Sequence, residues 1–250
     1  MMETTTSCQN SPCSPLDQIR ELYTDLAQNP QKDFGWAKGK DNARRLGYRA
    51  EWLAALPDLV WESAAAVGNP FAAVPIQPGE TVVDLGCGAG ADACIAGLLV
   101  GNTGRVMGFD LTPAMVSKAQ GSARAAGLAH VQFSEGPMDA LEFPDRAADV
   151  VISNGAINLA VDKAKVFAEV FRILRHGGRF GFADMVREPG QGSCCPAGDS
   201  WANCVSGTLG VEEVLRQLRE AGFTDVAHLA VTGYKTAAST VGALFRATKP

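Results

Sequence analysis

The sequence predicts an α/β domain: a seven-stranded sheet with helices on both faces, behind an N-terminal helical extension. Three observations carry this reading. Short apolar runs such as VVIS alternate along the chain with segments whose apolar residues recur at helical spacing. A glycine-rich turn, DLGCGAG, joins the run Val82, Val83 and Leu85 to a helix-length segment, and a second short strand follows, giving a βαβ unit. The last two strand signals, 224–231 and 241–248, lie on either side of turn residues and predict a hairpin-like edge.

The elements follow in order. Residues 1–14 are rich in Ser, Thr, Pro and Cys and are expected to be a disordered tail. Leu16, Ile19, Leu22, Tyr23 and Leu26 form a helical stripe that Asn29-Pro30 closes. The stretch DFGWAKGKDNARRLGY predicts a loop with a short helix, and residues 51–67 support one or two short helices broken at Pro57. Together residues 15–78 read as a helical extension and a lid, ending in a proline-rich linker, and residues 79–250 as the ligand-binding domain. Residues 91–100 predict a helix and 105–109 a second strand that ends on Asp110. Pro113 opens a helix at its first turn and Gly127 closes it. Residues 130–134 and 149–153 predict the third and fourth strands, with a short turn or helix at 138–142 between them. Val166, Phe167, Val170, Phe171 and Leu174 make one apolar stripe, predicting a helix that runs to Gly177-Gly178. A fifth strand at 179–183, a long loop at 187–200 and a helix at 211–221 complete the series.

Composition narrows the class. At 250 residues and 46% hydrophobic content the chain suffices for one domain of about 200 residues plus its extension. The net charge of −5 and the lack of a basic run argue against a nucleic-acid partner. No apolar stretch approaches the roughly 18 residues of a membrane span, and the N-terminus lacks a secretory pattern, so a cytoplasmic protein is expected. Seven cysteines are odd in number and sit in what is expected to be a reducing compartment, so a disulfide framework is disfavoured. Cys87 and Cys94 fall in the glycine turn and on the helix after it and read as small packed residues. Cys194, Cys195, Cys204, Cys8 and Cys13 fall in polar loop segments. His130, His176 and His228 sit at strand or helix ends and read as surface residues.

The glycine turn selects between ligands. A dinucleotide site normally reads GxGxxG, whereas here the spacing is GxGxG and Asp84 precedes it. A carboxylate at that point repels a pyrophosphate but suits a cation, such as the sulfonium and ammonium groups of S-adenosylmethionine. Asp110, twenty residues past Gly90 at a strand tip, is placed to accept hydrogen bonds from ribose hydroxyls. The motifs DLGCGAG and GFD resemble the first two motifs of the class I methyltransferases, which implies that family's Rossmann-like sheet and its S-adenosylmethionine cofactor.

Ligands of such sheets bind outside the carboxyl ends of the strands. The candidate cofactor residues are therefore Asp84, Gly86, Cys87 and Gly88 for the methionine portion, and Asp110 and Leu111 for the ribose. Met138 and Asp139 are the candidates for the adenine, and Asn154 for the side facing the sulfonium. No resident metal site is expected.

A second resemblance is more specific. ISNGAINLAVDKAKVFAEVFRILRHGGRFGFADMV is similar to a segment of the arsenite methyltransferases, and WANCVSGTL to the one that carries an arsenic-binding cysteine there, which maps onto Cys204. The resemblance implies transfer of a methyl group to a thiol-bound trivalent metalloid, with a thiol reductant as partner. This chain departs from the family at three places. It has no cysteine at Val67-Gly68-Asn69, Gly155 stands where many members have cysteine after ISN, and Thr224 follows AGF. Cys194 and Cys195 are then the candidates to complete a thiolate site with Cys204. Two alternatives stay open: a small-molecule O-, N- or C-methyltransferase with structural cysteines, and a metalloid or redox sensor without turnover.

Overall fold

The computed structural model describes residues 14–188 and 207–250. Helices α1 (Pro15–Gln28), α2 (Gly39–Arg45), α3 (Ala50–Ala55) and α4 (Asp58–Trp61) precede the sheet. They match the extension predicted from the stripe at 16–26 and the break at Pro57. The Ser14 side chain accepts a hydrogen bond from the Asp17 N–H, satisfying one orphan donor of α1, and Pro15 at the first position needs none.

Strands β1 (Thr81–Leu85), β2 (Arg105–Asp110), β3 (Val131–Glu135), β4 (Ala148–Asn154), β5 (Leu174–Arg187), β6 (Thr224–Val231) and β7 (Thr240–Thr248) form a single sheet in the order β3-β2-β1-β4-β5-β7-β6. β1 pairs in parallel with β2 and β4, β2 with β3, and β4 with β5. β7 alone runs against its two neighbours, β5 and β6. The strand order reverses beside β1, between connections that run to either side, and this opens a crevice at the carboxyl ends of β1 and β4.

Side chains of a strand alternate between faces, and the core follows that alternation. Val82, Val150 and Ile152 pack on one face with Val100 and Ile95 of α5 (Ala91–Val100) and Val116 of α6 (Pro113–Ala125). Val83, Leu85 and Val151 pack on the other face with Val166, Phe167 and Val170 of α7 (Lys163–Ile173) and Leu218 of α8 (Val211–Glu220). A third, smaller cluster joins Leu26 of α1 to Ala89 in the glycine turn and Met115 of α6, so α1 lies across the crevice.

Two local expectations are corrected. The helix of the Val166 stripe ends at Ile173, not at the paired glycines, because Leu174 turns to extended backbone (φ −68°, ψ 138°). The Lys249 ammonium donates to the carbonyls of Phe171 and Leu174 at 2.6 and 2.8 Å and so caps the helix end from another strand's side. Gly177, at φ +73°, then takes the chain round inside β5. The fifth strand continues past Ala183 to Arg187, since β7 supplies partners along that whole length. Of the two forms expected at 138–142, turn or short helix, the segment takes the turn. Residues 1–13 of the predicted tail and 189–200 of the predicted loop lie outside the described residues, as do 201–206, and with them Cys8, Cys13, Cys194, Cys195 and Cys204.

Phe182 stacks between Phe180 and Phe245, with ring centroids 4.5 and 4.9 Å away, at the centre of one core face. Phe182→Ala is expected to destabilise the fold by about 3–5 kcal/mol through lost transfer energy and a residual cavity. Urea denaturation should show a lower midpoint with an unchanged slope. A loss below about 1 kcal/mol would mean that this face repacks freely.

Candidate functional site

The crevice holds a cavity of about 210 Å³. Its floor is made by the carboxyl ends of β1, β2 and β4 and the turns that follow them. Its roof is α1, through Leu16, Ile19, Tyr23 and Leu26, with part of the 39–66 region.

The turn after β1 has the shape its glycines permit. Gly86, Gly88 and Gly90 all adopt positive φ (65°, 51° and 86°), which side-chain-bearing residues rarely do. At Gly86 space is also decisive, because a Cβ there would lie 2.2 Å from the Ala156 Cβ. Gly88 is different: nothing lies within 4 Å of its Cβ position. The backbone there is open to the cavity, as close approach of a ligand requires. The Cys87 N–H donates to the Phe109 carbonyl at 3.0 Å, locking this turn to β2.

Carboxylates surround the turn. Asp84, on β1, is 2% exposed; the Ala93 N–H at the start of α5 is its hydrogen-bond donor, and its Oδ2 has no partner among the described residues. Burial, then the charges of Asp92 and Asp110, raise its pKa well above the carboxylate range. Asp92, in the first turn of α5, is buried and pushed up to about 6 by desolvation, against the opposing hydrogen bonds of Asn154 and Tyr48. Asp110 accepts the Gly88 N–H at Oδ2 and the Thr112 N–H at Oδ1, both at 2.9 Å. Burial raises its pKa too, and those two N–H groups lower it. With the Thr112 hydroxyl it has three donors, fewer than the four lone pairs of its two oxygens, so acceptor capacity remains for a further donor. Asp139 makes a fourth acid in the lining, which has no Lys, Arg or His among the described residues. Such a site favours a cation and opposes a phosphate. The orphaned Asp84 oxygen and the open backbone at Gly88 therefore fit a sulfonium and ammonium ligand of the kind expected from the sequence.

The structure brings together all of the predicted cofactor residues: Asp84, Gly86, Cys87, Gly88, Asp110, Leu111, Met138, Asp139 and Asn154 all line this cavity. Asn154 has more to do there than the sequence indicated. Its Oδ1 accepts the N–H groups of Val67 and Gly68 at 2.9 and 3.3 Å, and its Nδ2 reaches Asp92 Oδ2 at 2.8 Å and Tyr48 Oη at 2.9 Å. Tyr48 in turn donates to Asp92 Oδ1 at 2.7 Å. Sequence reasoning missed Tyr48 and Asp92. An acid in the first turn of a helix is an ordinary complement to the helix dipole, and nothing local to Tyr48 marks it.

Cys87 and Cys94 are buried and free, as expected. Burial and nearby carboxylates hold the Cys87 thiol well above its usual range and push Cys94 up to about 12, so both stay protonated. Two of the three positions at which the chain lacks the resembled family's cysteines meet in space. A Cβ on Gly155 would lie 3.1 Å from the Val67 Cγ1, in an apolar corner. None of the three histidines lines the cavity. Only His176 is fully exposed; His130 and His228 are half-buried, corrected from the surface expectation because one ring meets the Gly97 carbonyl at 2.9 Å and the other packs on Phe245.

Two outcomes test this geometry. Gly86→Ala is expected to cost about 3 kcal/mol, combining backbone strain with overpacking, whereas Gly88→Ala costs about 1–2 kcal/mol from strain alone. Equal losses on chemical denaturation would contradict the packing at Ala156. The raised carboxyls also set a pH trend. Asp92, at about 6, and Asp184, which burial raises to about 7 on β5, hold protons in the folded state that the unfolded chain has already released above about pH 4. Their stabilisation is fully present below that point and is lost as pH rises through about 6 to 7. The melting temperature of the ligand-free protein should fall between pH 4.5 and 7.5, at about those values; a rise across the window would exclude these protonations.

Comparison with known proteins agrees with this geometry. The methyltransferase domain family matches residues 76–222. The arsenite methyltransferase of Halobacterium salinarum is 36% identical over 227 residues, covering 84% of this chain and 57% of its own length. That of Aquipseudomonas alcaligenes is 32% identical over 171 residues, covering 65% and 49%. The chain thus spans about half the length of these curated relatives. Among solved structures, an arsenic(III) S-adenosylmethionine methyltransferase from Chlamydomonas reinhardtii superposes with a TM-score of 0.64 at 27% identity, covering 86% of this chain and 74% of that one. Geranyl diphosphate C-methyltransferase from Streptomyces coelicolor A3(2), at 18% identity, shares the fold with a TM-score of 0.66 over 96% of this chain and 100% of that one. A match across more than half of the chain, on the sheet and turn that build the acidic cavity, settles the assignment: the chain belongs to the methyltransferase domain family, with the class I fold and the S-adenosylmethionine cofactor of that family.

Proposed function

We propose that the chain transfers a methyl group from S-adenosylmethionine to arsenite or a related thiol-bound trivalent metalloid. The observation that carries this reading is the division of the cavity: carboxylates and open glycine backbone on its floor, an apolar roof, and no basic side chain among the described lining residues. When bound, S-adenosylmethionine supplies an electrophilic methyl group on a positively charged sulfur. Asp84 and the backbone of Gly86, Cys87 and Gly88 would hold its methionine portion, Asp110 and Leu111 its ribose, and Met138 and Asp139 the edge of its adenine. The roof formed by α1 and the 39–66 region would act as the lid, excluding water from the transfer.

In-line methyl transfer needs alignment more than acid–base chemistry. An alcohol or phenol acceptor must lose a proton to a base, usually a histidine or carboxylate, and since no histidine lines the described cavity only its carboxylates would be left for that role. Trivalent arsenic brings its own lone pair and prefers thiolate ligands. Attack by that lone pair would form an arsenic–carbon bond, with the electron pair of the methyl–sulfur bond left on sulfur. A thiol reductant would then return the oxidised arsenic to the trivalent state, and the reducing cytoplasm suits that requirement. Cys204 is the proposed central thiolate, with Cys194 and Cys195 as partners; Cys87 and Cys94, held protonated, are unsuited. The names of the relatives from Halobacterium and Aquipseudomonas support the same acceptor.

One observation favours a second reading. The corner at Val67 and Gly155 carries no thiol, which suits a small-molecule O-, N- or C-methyltransferase with structural cysteines.

Incubation with methyl-labelled S-adenosylmethionine, arsenite and a thiol reductant should yield labelled methylarsenicals. Cys204→Ser should reduce that yield at least about 100-fold while leaving cofactor binding intact. Undiminished methylation by this variant would refute the thiolate assignment. Labelled transfer to organic acceptors alone would favour the second reading, and no S-adenosylhomocysteine with any acceptor would mark a sensor.

A further inference from the structure

Resting on S-adenosylmethionine as the cofactor, we infer that Tyr48 and Asp92 are a positioning pair through which the N-terminal extension sets the charge of the cofactor site. The Tyr48 hydroxyl, 2.7 Å from Asp92 Oδ1, and the Asn154 amide, 2.8 Å from Asp92 Oδ2, together hold Asp92 as a carboxylate beside Asp84.

The argument begins with the number of acids. Asp84 and Asp92 are both buried, each in the field of the other, and no lysine or arginine lines the cavity among the described residues. Left without donors, such a pair takes up protons and loses the negative charge that a sulfonium would meet. A carboxylate that accepts hydrogen bonds keeps its charge more readily. Asp92 has two side-chain donors, and they come from different parts of the chain. Asn154 lies at the β4 tip. Tyr48 comes from the extension, 44 residues earlier in sequence, where its ring packs edge-on to Trp61 and Phe71 with centroids 6.2 Å away.

The same network fastens the extension itself. Asn154 Oδ1 receives the N–H groups of Val67 and Gly68, and its Nδ2 lies 2.9 Å from both the Tyr48 hydroxyl and the Gly68 carbonyl. Docking of the extension and ionisation of the floor are therefore one event. By linkage, a cation in the cavity strengthens the docking by the factor that docking strengthens the cation. The groups facing Asp92 are Asp84 from β1, Tyr48 from the extension, Asn154 from β4 and Cys94 on its own helix, with Asp110 of β2 acting on Asp84. Among these, Tyr48 is the donor that the extension supplies.

The test is calorimetric binding of S-adenosylmethionine and of S-adenosylhomocysteine, whose sulfur is neutral, to wild type, Tyr48→Phe and Asp92→Asn across pH 5 to 8. No acceptor is needed, so failure of arsenite turnover leaves this inference standing. Wild type that takes up neither ligand would instead overturn the cofactor reading itself. In wild type, affinity for the sulfonium ligand should rise with pH through about 6. Tyr48→Phe keeps the ring and should bind S-adenosylmethionine about 3-fold more weakly at pH 6.5, with the midpoint of its pH dependence raised by about one unit. Its affinity for S-adenosylhomocysteine should fall much less. Asp92→Asn should narrow the preference for the sulfonium ligand and flatten the pH dependence near 6. Equal losses for the two ligands, or an unchanged midpoint in Tyr48→Phe, would show a merely structural tyrosine and overturn the inference.

Discussion

Burial of Asp84, Asp92 and Asp110 around one glycine turn is the constraint on which the site depends. Three carboxyls converge on one glycine turn, and no described basic side chain in the cavity wall offsets them. Desolvation of these groups is costly for the ligand-free protein and raises all three pKa values, and the charges of Asp92 and Asp110 add to the rise at Asp84. The fold accommodates it with backbone donors: Ala93 for Asp84, and Gly88 and Thr112 for Asp110. A positively charged ligand relieves the repulsion, so cost in the free state becomes selectivity in the bound one. The same field discourages a pyrophosphate, which separates this glycine turn from that of a dinucleotide site.

The extension belongs to this electrostatic arrangement as much as to the packing. Leu26 meets Ala89 and Met115 over the glycine turn, and the Ser63 hydroxyl donates to the Leu26 carbonyl at 3.0 Å, tying the α1 roof to the segment after α4. Beneath them, Asn154 bonds to Val67, Gly68, Tyr48 and Asp92 together. An apolar roof over an acidic floor lowers the local dielectric and strengthens every charge interaction below it.

The corner at Val67 and Gly155 is built with different chemistry. Val67 and Gly155 meet where the resembled family often has cysteines, and the two buried thiols near the floor are kept protonated by burial and by the carboxylates that suit the cofactor. The proposed thiolates, Cys194, Cys195 and Cys204, come from a different stretch of the sequence. This separation has a simple basis: a soft metalloid needs ionised sulfur, and ionised sulfur is disfavoured beside buried acids.

The amino-acid sequence by itself determined the order and type of the sheet elements, the glycine turn and the tip carboxylates Asp84 and Asp110. These are local signals: period-two and helical spacing, glycines at fixed offsets, and an acid at a strand end. It was less informative at the end of α7, where Lys249 from beyond β7 caps carbonyls that sequence spacing alone assigns to a longer helix. Tertiary structure alone decided that Tyr48 and Asp92 meet, that Asn154 joins them to Gly68, and that Val67 faces Gly155. Each of these contacts spans more than 40 residues of sequence, and no periodicity encodes a pairing made by folding the extension back over the sheet. Burial made the remaining difference: it turns Asp92 from an ordinary helix-start acid into a group titrating at about 6, and burial is a property of the packed chain.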